Sequence, residues 1–253
     1  MVILTGVSKK CNFLFGVKYT GCPVYSLTFP SIVDKMPLCL IDKKNSFKMA
    51  RKQAEDYGER RRNILDKAAQ LFAEKGYARS SISELATACN ASKSWLYHYY
   101  PSKEAILYDI MRLHVRELVK MSEAALAHDG SPREKFRTLA RNFMEIYVNA
   151  GSKHVILLND RGCLPDDMRK EIMGLQDQVV NNVVRLVLEL NPELEKSADY
   201  KKPVTMAFLG MINWTYIWFR KDGPVDQEQF ADLAVDVFMN GFMSLDVEKL
   251  PKK

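Results

Sequence analysis

The chain has 253 residues, 47% apolar and 27% charged, which is enough for one large domain or two modest ones with a buried core. No run of 18 or more apolar residues occurs, so we expect no segment to span a membrane. Residues 51–103 hold ten basic and six acidic groups and the rest of the chain after them is slightly acidic, which predicts a polyanion partner for the front part, although a solvated surface gives the same excess.

Residues 1–48 differ from the rest of the chain, because glycine and proline recur and no helical period of apolar residues is sustained. They also lack the apolar core and the small-residue cleavage site of a secretory signal. We expect a disordered extension, or a start upstream of a native one at Met49, where a short basic arm leads into the first helix.

Cysteine and histidine are used sparsely. None of the five cysteines forms a C-x-x-C pair, which favours a reducing, cytoplasmic location over a disulfide framework. The four histidines never pair with cysteine or glutamate at ligand spacing, so we expect no structural metal and no cofactor. These residues are Cys11, Cys22, Cys39, Cys89, Cys163, His98, His114, His128 and His154.

Helical signals begin near residue 59. An apolar stripe runs to Gly76, which ends the first helix. Ser81 and Glu84 form a capping box for a short helix that reaches about Cys89. Asn90 tolerates the left-handed conformation of a tight turn. Two further helices are capped by serines: Ser92 begins a short one that ends at about Tyr99, before Pro101, and Ser102 begins a longer one to about Leu126.

The back half reads as helix throughout, with breaks at glycine and proline. No stretch alternates with the period of a strand, so the chain is predicted to be all-α. We expect a three-helix DNA-binding domain over 49–107, a helical ligand-binding and dimerisation domain over 108–246, and a tail over 247–253. The helices of the back half are predicted at 132–150, 153–160, 165–190, 200–220 and 226–245.

The two short helices predict a helix-turn-helix unit, because a tight turn joins them after a longer helix. Leu85, Ala86 and Cys89 face inward from the first, and Leu96 with Tyr99 from the second. The remaining side chains of the second helix then point outward and suit the base edges of a DNA major groove. They are Lys93, Ser94, Trp95, Tyr97 and His98.

Residues 60–107 carry "A-x-x-L-F-x-x-K-G-Y", "S-I-S-E-L-A" and "L-Y-H-Y-Y-P-S-K-E", and with them the chain resembles the N-terminal domain of the TetR family of transcriptional regulators. Asn90 stands where the family usually has glycine. We assign Lys93 to a guanine edge or a phosphate, and Trp95 and His98 to bases or thymine methyls; Trp95 has packing against the first helix as its alternative. Ser81, Tyr97 and Lys103 are assigned to phosphates, and Arg60–Arg62 to a backbone-contacting arm.

The resemblance implies a helical domain with a ligand pocket and a dimer interface. One apolar stripe fits a four-helix bundle with a second copy, or alternatively an internal core: Phe230, Leu233, Ala234, Val237, Phe238, Gly241 and Phe242. Bulky residues that fit a pocket, or alternatively the core, are Phe143, Tyr147, Leu158, Met173, Trp214 and Trp218, beside Asn213, whose amide needs a partner.

The segment "MINWTYIWFRKDGP" resembles TetR-type regulators that sense acyl-CoA thioesters, which implies an acyl tunnel with Arg161, Arg169 or Arg220 at its mouth. The resulting hypothesis is a homodimeric repressor that binds a palindromic double-stranded operator and is released by a small-molecule effector. The alternative is a constitutive, architectural DNA-binding protein. An enzyme is not expected, because no G-x-S-x-G, phosphate loop or H-E-x-x-H occurs.

Overall fold

Helix α1 (Lys43–Lys75) opens the computed structural model, which describes residues 43–246. It begins before the expected position near residue 59, so residues 43–48 of the predicted extension are helical. The predictions for 1–42 and for the tail lie outside the described residues. Gly76 ends the helix with φ of 83°, a conformation that glycine adopts without steric cost.

Two short helices complete the front domain, α2 (Ile82–Ala88) and α3 (Lys93–Tyr99). Their apolar faces close on α1, where Ile64, Ala68 and Phe72 are fully buried or nearly so. Leu85 from α2 and Leu96 from α3 are buried in the same core. Each buried side chain of this size contributes about 1.5–3 kcal/mol, so the three helices form one unit.

Helix α4 (Lys103–Leu126) connects the front domain to the back half. Ser102 caps it by accepting a hydrogen bond from the amide of Ala105 at 3.1 Å. Buried residues recur along its length, from Ile106 to Ala125, because it packs against α5, α6 and α7. A helix buried on several sides moves together with its neighbours.

Six further helices form the back half: α5 (Pro132–Asn149), α6 (Gly151–Asn159), α7 (Asp166–Leu190), α8 (Ala198–Asn213), α9 (Thr215–Trp218) and α10 (Gln227–Phe242). The helix predicted over 200–220 is interrupted at Trp214. There the Thr215 hydroxyl donates to the carbonyl of Ile212 at 2.6 Å, a local bond of the kind that bends helices.

Packed aromatic rings hold α5, α8 and α10 together. Phe136 lies 4.3 Å from Phe208 and 5.5 Å from Phe238 between ring centroids. Outside this core, the Arg141 guanidinium donates to both oxygens of Asp232 on α10, at 2.8 and 2.6 Å. The described residues are helical with no strand, which confirms the all-α prediction.

Candidate nucleic-acid interface and effector pocket

The turn between α2 and α3 is tight. Asn90 has φ of 51°, as predicted for the residue that makes the turn. The amide of Ala91 donates to the carbonyl of Ala86 at 2.9 Å, and Ala86 is 4% exposed. A larger side chain at 86 would push the two helices apart.

Helix α3 presents a polar face to solvent. Leu96 anchors the helix in the core, whereas Lys93, Ser94, Tyr97 and His98 are exposed. The Tyr97 side chain is 51% exposed. Because α3 has only seven residues, this arrangement leaves one continuous outward face, and four of the five predicted reading residues lie on it.

Trp95 is half-buried, because its ring packs against Tyr99 with 4.7 Å between the centroids. Tyr99 in turn stacks on Tyr57 of α1 at 4.8 Å. Trp95 therefore packs within the domain, as its alternative assignment proposed, and only part of its surface can reach a ligand. The sequence analysis missed the role of Tyr57 in this packing. The one feature that could have indicated it is an aromatic residue on the exposed side of α1.

Lys103 makes contacts within the protein that its assignment to a phosphate did not include. Its ammonium donates to the carbonyls of Tyr77 and Ser80 at 2.8 and 2.9 Å and lies 4.1 Å from the centroid of the Tyr77 ring. The side chain thus binds α4 to the loop after α1. These bonds use two of its three N–H donors, so the phosphate contact stays a prediction; the sequence analysis considered only the position of Lys103 at a helix N-terminus.

Ser81 is also already engaged. Its hydroxyl accepts from the amide of Glu84 at 3.2 Å and donates to the Glu84 carboxylate at 2.9 Å. Lys75 and the hydrogen bonds from Ser81 lower the pKa of Glu84 to about 2. The N-terminus of α2 therefore already holds an anion, and the phosphate contact predicted at Ser81 would have to compete with it.

The arginine run before the core of α1 is divided. Arg61 bonds the Tyr100 hydroxyl at 3.2 Å and pairs with the buried carboxylate of Asp109 on α4. Arg60 pairs with Asp56 at 2.8 Å, and Arg62 is exposed. The expected arm is thus contradicted for Arg61, which joins α1 to α4.

A cavity of about 280 Å³ lies among α4, α5, α6, α7 and α8. Three of the predicted ligand residues line it, namely Tyr147, Leu158 and Asn213. The rest of its wall is mostly apolar, with contributions from Val115, Leu118, Leu157, Val179, Val180, Met206 and Leu209. A volume of this size suits a small ligand or a short chain.

The other predicted ligand residues lie elsewhere. Phe143 is fully buried in the core behind Tyr147 and does not line the cavity. Met173, Trp214 and Trp218 are exposed on the surface. The structure does not place these four residues at the cavity. Helical spacing identifies a face of a helix without showing what that face meets.

Two buried histidines stand at the cavity. His154 lines it, and its Nδ1 lies 3.2 Å from Nε2 of His114 on α4. The His154 ring stacks on Tyr147 with 3.8 Å between centroids. Burial lowers the pKa of His114 to about 4 and that of His154 to about 3, so both rings are neutral at pH 7. The sequence analysis left both without a role.

Of the three arginines assigned to a tunnel mouth, one lines the cavity. Arg161 does so and donates to the Gln176 side chain at 2.7 Å. Arg169 bonds Asp166 and Arg220 pairs with Asp222 at 3.2 Å, both away from the cavity lining. The assignments of Arg169 and Arg220 are therefore contradicted.

The stripe assigned to a dimer interface divides into two faces. Ala234, Phe238 and Phe242 are buried in the chain's own core, and Phe230 packs against Trp218 at 5.1 Å. Assigning Ala234 and Phe238 to a partner was therefore wrong, since α5 and α8 already cover that side. The exposed residues of the stripe are Leu233, Val237 and Gly241, one helical turn apart.

An exposed apolar surface continues onto α8 and α9. Met206 and Gly210 on α8 and Trp214 directly after its last residue repeat at the same spacing, and Trp214 is 59% exposed. Ile217 and Trp218 on α9 are about half exposed as well. Large side chains grouped in this way are uncommon on a surface that meets only water.

Two family profiles match the chain. One described as "Bacterial regulatory proteins, tetR family" matches residues 64–110, and one described as "Tetracyclin repressor-like, C-terminal domain" matches residues 129–242. Among the residues that the structure describes, no helix combines the length and the apolar character needed to cross a membrane.

Similar proteins include both solved structures and curated relatives. A TetR-family transcriptional regulator from Bordetella parapertussis 12822 is 36% identical, with a TM-score of 0.70 over 74% of this chain and 97% of that one. AibR, solved in complex with isovaleryl coenzyme A and operator DNA, is 28% identical, with a TM-score of 0.62 over 70% of this chain and 97% of that one. The HTH-type transcriptional repressor KstR2 of Rhodococcus jostii (strain RHA1) is 24% identical over 201 residues, 73% of this chain and 92% of that protein.

Proposed function

Because the chain belongs to the TetR family of DNA-binding transcriptional regulators and not to an enzyme family, we propose that it is a homodimeric repressor. It works in the bacterial cytoplasm, where its DNA lies, and it releases a palindromic operator when a small molecule binds. The observation that carries the proposal is the outward face of α3. Its polar side chains are free of the core, while the helix itself is anchored through Leu96 and Tyr99.

The proposed reading surface consists of Lys93, Ser94, Tyr97 and His98, with the open part of Trp95 beside them. Lys93 suits a guanine edge or a phosphate, and Tyr97 a phosphate. A two-fold dimer would place two such surfaces in successive major grooves about 34–36 Å apart. The two-fold symmetry of the dimer is what requires a palindromic operator.

The proposed dimer interface uses the exposed faces of α8 and α10. Leu233, Val237 and Gly241 on one helix and Gly210 with Trp214 on the other form two adjacent apolar faces. Two such helices from each copy would build a four-helix bundle. The interface would cover the exposed tryptophan, which supports this arrangement on hydrophobic grounds.

The proposed effector is an acyl thioester of coenzyme A with a short acyl part. A mostly apolar cavity with Arg161 in its wall offers a place for the acyl group and a cation for a phosphate. The similarity to AibR, whose structure holds isovaleryl coenzyme A, supports this effector class.

Helix α4 connects the two proposed sites. At one end Asp109 holds Arg61 and the Tyr100 hydroxyl; farther along, Val115 and Leu118 line the cavity. A ligand in the cavity that favours one position of α4 would therefore change the separation of the two α3 helices. It acts only if it binds that arrangement more tightly than the DNA-bound one.

The test is operator affinity with and without thioester. We expect tight binding to one palindromic duplex, measured by fluorescence anisotropy, to fall at least tenfold on addition of isovaleryl-CoA or butyryl-CoA. Operator affinity that no acyl-CoA changes would contradict the effector proposal. Equal affinity for every duplex would instead favour the architectural alternative.

A further inference from the structure

The cavity wall contains polar atoms that the fold leaves without a partner. Nε2 of His154 and Oδ1 of Asn213 are buried and make no hydrogen bond to any described residue. Both residues line the cavity, and His154 as a whole is only 2% exposed. A buried polar group without a partner costs about 1–3 kcal/mol, so a ligand that supplies one gains from it.

The two atoms differ in the hydrogen bonds that they can form. A carbonyl oxygen such as Oδ1 of Asn213 only accepts, so it requires a donor. Nε2 of His154 either donates or accepts, because the neutral His114–His154 pair shares one proton in the 3.2 Å contact between the rings. When Nε2 of His114 donates, Nε2 of His154 carries a proton; when Nδ1 of His154 donates, its Nε2 accepts.

A hydroxyl group has the chemistry to bond both atoms, because it carries one donor and can also accept. It donates to Oδ1 of Asn213 and accepts from Nε2–H of His154. If the Asn213 amide is turned to present its nitrogen, the same hydroxyl accepts from Asn213 and donates to Nε2, because the histidine pair takes the other tautomer. A carbonyl accepts only, and a saturated chain offers neither donor nor acceptor.

We propose that His154 and Asn213 form a recognition site for a hydroxyl group on the acyl part of the effector. This deepens the proposed function and rests on it, since it specifies hydroxylated acyl thioesters as the effector class. A site built around a substrate hydroxyl discriminates strongly against the analogue that lacks it, because the polar groups are then left unpaired.

The site also touches the connecting helix. His114 lies on α4 and His154 on α6, so a hydroxyl that fixes the tautomer of His154 fixes that of His114 as well. Lys153, the neighbour of His154, pairs with Asp66 of α1 at 2.7 Å. The recognition site is thus bonded to α4 on one side and lies next to a contact with the DNA-binding domain on the other.

Calorimetry on the full-length protein tests the proposal, with butyryl-CoA and its 2-, 3- and 4-hydroxy derivatives as probes. We expect at least one hydroxybutyryl-CoA to bind at least tenfold more tightly than butyryl-CoA. Asn213→Leu and His154→Phe should reduce that preference to less than about threefold. Met173→Leu, an exposed change outside the cavity, should retain it.

A second measurement reports the contact itself. In protein labelled with ¹⁵N-histidine, the preferred hydroxybutyryl-CoA should shift the Nε2 resonance of His154, and butyryl-CoA should shift it less. Equal affinity of all four thioesters, or an unchanged Nε2 resonance, would overturn the hydroxyl site and leave the proposed effector class standing. Absence of binding by all four would overturn both.

Discussion

Lys93 is the basic side chain at the start of the exposed face of α3, and its role is testable by substitution. We expect Lys93→Ala to weaken operator binding by about 1–3 kcal/mol if it contacts a base edge, with relaxed preference at that base pair. Lys120→Ala, which removes an exposed lysine of α4, serves as the control. Operator affinity in Lys93→Ala equal to that of the control would remove Lys93 from the reading surface.

Lys103 gives the opposite prediction, because its ammonium bonds two carbonyls of the protein. Lys103→Met should lower the free energy of unfolding by about 3 kcal/mol, since two hydrogen bonds from a charged group, worth about 1.5–3 kcal/mol each, are lost while the methionine retains part of the packing. Chemical denaturation measures this loss.

The salt dependence of operator binding separates the two roles of Lys103. A structural lysine leaves the slope of log K against log salt unchanged, whereas a phosphate contact reduces it by about one. A reduced slope with unchanged stability would show that Lys103 contacts a phosphate and contributes little to the fold.

The residues that were predicted correctly depend on local chemistry. The hydroxyls of Ser92 and Ser102 cap the helices that follow them by accepting from the amide three residues ahead, and Asn90 adopts the turn conformation that its own side chain favours. The contacts of Lys103 with Tyr77 and of His154 with His114 were not predicted, because the partners lie 26 and 40 residues away in the chain. A single sequence carries no signal for such pairs.

At the scale of elements, α10 shows how far an apolar pattern can be interpreted. Its apolar stripe covers two faces of the helix. Ala234 and Phe238 are buried in the core, while Leu233 and Val237 stay exposed. The sequence predicted the helix and its apolar side. It could not divide that side, because burial by α5 and α8 depends on how distant segments pack.

Val237 tests the proposed dimer face, since it is 56% exposed and its loss should not disturb the core. We expect Val237→Glu to raise the dimer dissociation constant at least tenfold without lowering the thermal midpoint of the monomer, as measured by analytical ultracentrifugation and calorimetry. Asn181→Glu, at an exposed position of α7, is the control for added charge. A dimer as tight as the wild type would place the interface elsewhere.

The contact between α4 and α6 predicts a pH dependence of stability. The pKa of His114 is lowered to about 4 and that of His154 to about 3 by burial, with the charge of Lys153 also acting on His114, whereas both are about 6.5 in the unfolded chain. Below pH 6.5 the unfolded chain binds protons that the folded protein does not. The free energy of unfolding should therefore fall by up to about 1.4 kcal/mol per pH unit for each histidine as the pH drops from about 6.5 towards 4.

Denaturation of a His114→Gln/His154→Gln variant provides the comparison. Its stability should fall less than that of the wild type between pH 7 and 5. Carboxylates with a lowered pKa, such as Glu84, lose their contribution only below about pH 4.3 and so leave this window clear. Parallel pH profiles for the two proteins would show that the histidine pair does not titrate as its burial requires.

At the scale of the whole molecule, one rigid helix serves two sites. Asp109 fixes α4 to α1 through Arg61, and His114 fixes it to α6 beside the cavity. The order of the helices and the family could be predicted from sequence because local signals and a long motif determine them. The cavity could not, since five helices distant in sequence form its wall.

Selection from a pool of random duplexes with the full-length protein, read by sequencing, tests the central claim most directly. We predict enrichment of a palindrome whose half-sites are centred about one DNA turn apart, and loss of that enrichment when Lys93 and His98 are both changed to alanine. Recovery of no preferred sequence, or of the same sequence by the double variant, would contradict the assignment of α3 as the reading helix.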